Sequence, residues 1–130
     1  MTTIDRRTED LLIAILAEIS NLGVDTLRMS DRKFHEYFGT ALNRLKQAGG
    51  DLADLASQFY KNVVTDTYDE LDHSLITAEQ FGFVKFPNPS YSRLTIAITP
   101  RMAHRLLKDW DANERIAIRQ AAEEIVRHQT

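Results

Sequence analysis

The segment Arg93-Leu94-Thr95-Ile96-Ala97-Ile98-Thr99-Pro100 constrains the fold more than any other in the chain. Leu94, Ile96 and Ile98 alternate with Arg93, Thr95, Ala97 and Thr99, the period-two pattern of a strand with one buried face. Phe83 to Phe86 reads as the strand before it, joined through Pro87-Asn88-Pro89-Ser90, whose prolines fit a turn and resist sheet pairing. Thr99-Pro100 then supplies a cap followed by proline at the first helical position, where the missing N–H costs nothing. A β-hairpin is therefore expected, followed directly by a helix.

Helical periodicity dominates the rest. Thr8, Leu11, Leu12, Ile15, Leu16 and Ile19 define a first helix over residues 4–22, with Gly23 as its left-handed stop. Ile13 and Ala17 lie off that stripe, which implies a second packing partner, such as another subunit. Val24 to Met29 reads as a brief strand. Ser30 caps a helix over 30–48 whose inner stripe is Phe34, Tyr37, Phe38, Ala41, Leu42 and Leu45, broken by Gly49-Gly50. Arg32, Lys33, Arg44 and Lys46 on its outer face read as a solvated surface, with a phosphate-contacting patch as the sharper reading. Asp51 is expected to cap a third helix with Leu52, Leu55, Ala56 and Phe59 inward, and Lys61 to Val64 to act as a connection.

Thr65 or Asp66 is expected to open the fourth helix, with Tyr68, Leu71, Leu75 and Ala78 as its apolar line. At 100° per residue, Asp66, Asp69, Glu70, His73, Thr77 and Gln80 then share the exposed side. Gly82 ends this helix. The last stripe, Met102, Ala103, Leu106, Leu107 and Trp110, can continue through Ala117, Ile118, Ala121 and Ile125 on one unbroken helix, within a helical segment over 100–128. Asp111 and Glu114 have the spacing of a capping box, where the chain would instead break and restart. The expected class is mainly α with a small β-hairpin (α+β), in one domain over residues 1–130.

The bulk properties exclude several functions. At 43% hydrophobic residues, the chain can bury a core of its own. A net charge of −3 provides no global field toward nucleic acid or an anionic membrane. The absence of cysteine removes disulfides, thiol nucleophiles and cysteine-based zinc sites. The longest apolar run, Leu11 to Ala17, is seven residues, against the ~20 a membrane span needs. Acidic Asp5, Glu9 and Asp10 precede it, unlike the basic start of a signal peptide, so a cytoplasmic location without membrane contact is expected.

Three histidines have an acid four residues earlier: Asp31 with His35, Asp69 with His73 and Glu124 with His128. This spacing gives helical ion pairs. Glu70 and His73 have the Glu-x-x-His spacing of carboxylate-bridged metal bundles, but such sites use the element twice and it occurs once here. No glycine-rich loop opens a helix, and no serine sits in a nucleophile motif. No catalytic, metal or cofactor site is expected.

Ala53-Asp54-Leu55-Ala56, Phe81-Gly82-Phe83-Val84, Arg93 through Pro100 and Leu106-Leu107 together resemble the winged helix-turn-helix regulators of the MarR and PadR type. The resemblance implies a winged-helix core over 51–110, with the helices over 4–22, 30–48 and 100–128 as flanking, dimerising elements. It further implies a groove-facing set of Asp66, Asp69, Glu70, His73 and Thr77, and a wing bearing Lys85, Asn88, Tyr91 and Arg93.

Residues 66–81 contain five acids and no Lys or Arg, whereas DNA affinity comes mainly from neutralising phosphates. The expected function is accordingly a non-catalytic winged-helix adaptor or regulatory protein. It would form a homodimer and bind a protein partner with a basic surface through the acidic helix face, including Gln80. A dimeric DNA-binding transcriptional regulator is the alternative.

Overall fold

The structure, a computed structural model, describes residues 7–29, 33–86 and 93–129. Helix α1 (Thr8–Asn21) lies at the centre. Every side chain from Leu11 to Ile19 is buried, Glu18 included. Arg7 is extended, with φ −113° and ψ 166°, and its N–H donates to Asp10 Oδ2 at 2.8 Å, so the helix starts at Thr8 rather than near residue 4. Residues 4–6 lie outside the described residues. Gly23, at φ 86°, ends the helix, and Val24 N–H reaches back to the Ile19 carbonyl at 3.3 Å.

Five further helices follow α1 among the described residues: α2 (Lys33–Gln47), α3 (Gly50–Ser57), α4 (Asp69–Gln80), α5 (Pro100–Leu107) and α6 (Ala112–Arg127). Helix α1 packs against α3, α4, α5 and α6, while α2 packs against α3 and α6. Ile13 and Ala17 are thus covered by helices of the same chain, and the second apolar side of α1 requires no other subunit. Each fully buried Leu or Ile here contributes roughly 1.5–3 kcal/mol of transfer free energy. Ser20 Oγ donates to the Ile98 carbonyl at 2.8 Å, tying the end of α1 to the segment just before α5.

The strands are short: β1 (Thr26–Arg28), β2 (Lys61–Asn62), β3 (Thr67–Tyr68), β4 (Val84–Lys85) and β5 (Arg93–Ile96). One antiparallel sheet has the order β1-β5-β4, with Leu27 opposite Leu94 and Val84 opposite Ile96. The period-two reading holds: Leu94, Ile96 and Ile98 are buried while Arg93 and Thr99 are exposed. The side chain of Gln129 closes the edge strand β1, accepting from Arg28 N–H at 2.7 Å and donating to its carbonyl at 3.3 Å. The expected turn at Pro87–Ser90 and the Ser30 cap lie outside the described residues.

Two further boundaries differ from those expected, and one left open is decided. Asp51 does not cap α3: Gly49, at φ 74°, occupies that position, a conformation without steric cost for glycine. Of the two readings of the last stripe, the break holds: the chain divides between α5 and α6, and the Asp111–Glu114 capping box forms both of its bonds, at 3.0 and 2.8 Å.

The second difference is the largest. Lys61 to Val64 is not a plain connection, and neither Thr65 nor Asp66 starts a helix. Strands β2 and β3 pair as a second small hairpin, and α4 begins only at Asp69, with Tyr68 as an extended N-cap. The reason is local. Val63, Val64, Thr65 and Thr67 are β-branched and disfavour the helix, while Asn62 and Asp66 are turn formers. Asp66 sits at φ 61°, a left-handed conformation that aspartate tolerates better than most residues.

Candidate functional site

The later start of α4 changes which residues face solvent. Asp69, Asp72, His73, Ile76, Glu79 and Gln80 are exposed, whereas Glu70 and Thr77 are half-buried. Glu70 accepts a hydrogen bond from Thr8 Oγ1 at 2.5 Å, joining α4 to the start of α1. Thr77 Oγ1 donates to the His73 carbonyl at 3.2 Å. Asp66 is not on the helix at all; its carboxylate pairs with Lys61 Nζ at 2.8 Å across the hairpin, which raises the Lys61 pKa chiefly through that hydrogen bond. Of the expected strip, the structure keeps Asp69, His73 and Gln80 together and adds Asp72, Ile76 and Glu79.

The Asn62 side chain links the β2–β3 hairpin to the head of α4. Asn62 Oδ1 accepts from Val64 N–H at 2.9 Å and Thr65 N–H at 3.3 Å, and Asn62 Nδ2 donates to Asp69 Oδ2 at 3.2 Å. The hairpin tip consequently projects Val63 and Val64, which are 92% and 87% exposed. Behind it, the Tyr68 ring packs edge-on against Phe38, with centroids 6.0 Å apart. Gly39 makes room for that ring, since a Cβ there would meet Tyr68 Oη at 2.7 Å.

On one flank of α4 lies a groove of about 340 Å³, lined by apolar Met29, Phe34, Leu75, Ile76 and Phe86 and by His35, Asp72 and Glu79. His35 is fixed in place: its Nδ1 accepts Tyr68 N–H at 2.9 Å and its Nε2 faces Asp72 Oδ1 at 3.5 Å. The acid beside His35 therefore comes from another helix. Asp31, the acid expected from spacing, lies outside the described residues.

The expected wing residues divide. Lys85 and Arg93 are exposed on β4 and β5, while Asn88 and Tyr91 lie outside the described residues. On α2, Lys33 and Lys46 are exposed, but Arg44 Nε donates to the buried Glu124 carboxylate at 3.0 Å. Arg127 and His128 complete this cluster from α6 and its C-cap, and the His128 ring stacks on Tyr37 at 4.5 Å. Among the described residues, no group of three or more His, Asp or Glu is placed to hold a metal ion, and no helix is long and apolar enough to cross a membrane.

Sequence spacing missed Asp72, Ile76 and Glu79 because it included Tyr68 in the apolar stripe and left out the buried Ser74. That error turns the inferred face by about 30° around the helix axis. The signal that would have corrected it is the β-branched run just before Tyr68. No family model matches the chain, and none of the curated proteins or solved structures compared with it matches it.

Proposed function

We propose that this chain is a non-catalytic adaptor or regulatory protein of winged-helix type that binds a protein partner with a basic surface through the exposed face of α4. The winged-helix part of the reading draws support from α4 running straight into the β4–β5 hairpin, which is followed at once by α5. The observation that carries the partner is the charge of that face: Asp69, Asp72 and Glu79 are exposed on it, and residues 66–81 include no Lys or Arg. A phosphate backbone would meet repulsion there, whereas Lys and Arg side chains of a protein would find complementary charge. The exposed Ile76, in the middle of the face, adds an apolar contact of the kind that interface centres use.

A partner recovered from cells with the full chain, identified and purified, provides the test. Asp69→Lys with Asp72→Lys should weaken that complex by at least about tenfold. An unchanged affinity would remove the α4 face from the interface. The second reading, a dimeric DNA-binding regulator, rests on exposed Lys85 and Arg93 on the hairpin. It requires salt-sensitive duplex binding that weakens in Lys85→Ala and Arg93→Ala, and absence of binding at low salt would eliminate it.

A further inference from the structure

The groove beside α4 combines an apolar floor with an acidic rim. Phe34 and Leu75 are buried within it, and Ile76, 54% exposed, forms its lip. Asp72 and Glu79 stand on the same helix, one on each side of Ile76 in sequence, and the described lining includes no Lys or Arg. An exposed isoleucine alone is ordinary. At the lip of a concave apolar groove, it marks a place where an incoming apolar side chain loses its water. The two carboxylates then decide which segments can approach, repelling acidic ones and favouring basic ones.

We propose that this groove receives an apolar side chain from a basic amphipathic helix of another protein, with flanking Lys or Arg side chains paired to Asp72 and Glu79. The inference rests on α4 being the partner-binding face and adds the chemistry of the occupant. Asp72 and Glu79 are separated by two helical turns, roughly 10 Å along the axis. A partner helix lying along α4 matches that span with basic residues at i and i+7 and apolar residues at i+3 and i+4. His35 acts as a positioning residue: anchored through Nδ1 to the Tyr68 N–H, it presents Nε2 to Asp72 and orients that carboxylate on the rim.

Three fluorescein-labelled helical peptides test this against the full chain by anisotropy. The first carries Lys at i and i+7 with Leu at i+3 and i+4; the second replaces the leucines by Gln; the third keeps the leucines and replaces the lysines by Glu. The first should bind at least about tenfold tighter than either control. Its amide-shift footprint should include Phe34, His35 and Ile76. Ile76→Glu, at an exposed site that leaves the core intact, should reduce its affinity to that of the leucine-free peptide. If the leucine-free peptide binds equally well, or Ile76→Glu has no effect, the groove is not the site although the acidic face stands. Binding that ignores both Asp72→Lys and Glu79→Lys overturns the groove and the α4 reading together. Absence of binding by the first peptide, or a footprint elsewhere, overturns the groove.

Discussion

Glu124 shows how much of this molecule hangs on single polar groups. Its side chain is buried on α6, yet it accepts from Arg44 on α2 and from Arg127 and His128 at the chain's end. Its carboxyl is held below the ordinary range, first by the Arg127 hydrogen bond and further by the charge of Arg127, the His128 hydrogen bond and the charge of Arg44, with burial opposing. A pKa lower in the folded state than in the unfolded state contributes stability above the unfolded value. That contribution is lost as pH falls through the folded value. Glu124→Gln should therefore cost roughly 1–3 kcal/mol near neutral pH, and its gap from the parent protein should shrink in urea titrations repeated at pH values falling below the ordinary carboxylate range. A gap independent of pH would show that packing, rather than charge, holds this cluster together. Ser74 is the opposite case. Its Oγ is fully buried with no hydrogen-bond partner among the described residues, so Ser74→Ala should raise the urea-derived stability by about 1 kcal/mol, through lost desolvation cost and better helix propensity. A loss of stability would mean that the hydroxyl is satisfied in solution.

At the scale of elements, the β2–β3 hairpin has little core of its own. Lys61 and Asn62 pair with Tyr68 and Thr67, and the tip depends on the Asn62 side chain. Asn62→Ala removes both acceptor bonds and the link to Asp69, so the hairpin should open locally at a cost of about 1–2 kcal/mol. Amide exchange at Val64, Thr65 and Asp66 should accelerate by roughly tenfold while α1 keeps its protection. Equal acceleration across α1 would show that the hairpin opens only with the whole fold. This hairpin is also where the sequence was legible only in part. Leu71, Leu75 and Ala78 announce α4 by their spacing, and Leu94, Ile96 and Ile98 announce β5. Strands of two residues leave no period to count: β4 is legible beside its proline turn, whereas β2 and β3 go unread, with turn chemistry and β-branching as their only signals. The groove was less legible still. Phe34 comes from α2, Leu75 from α4 and Phe86 from the residue after β4, and nothing in their spacing says that they converge around Ile76.

For the whole molecule, the decisive fact is that α1 is enclosed by its own chain. Hydrophobic periodicity reports that a side of a helix is covered and does not report by what. That is why Ile13 and Ala17, which are buried within this chain, could be read as contacts to another subunit. The distinction is measurable. Ile15 has no exposed surface, and Ile15→Ala leaves a cavity that should cost about 2–5 kcal/mol. If α1 is core within one chain, that loss is unimolecular. The shift in thermal midpoint relative to the parent protein should then stay constant over a hundredfold range of protein concentration. If α1 instead lay between subunits, truncation would weaken association, and the shift would grow as the protein is diluted. A shift that grows on dilution would return α1 to an intersubunit position and undo the single-chain core described above.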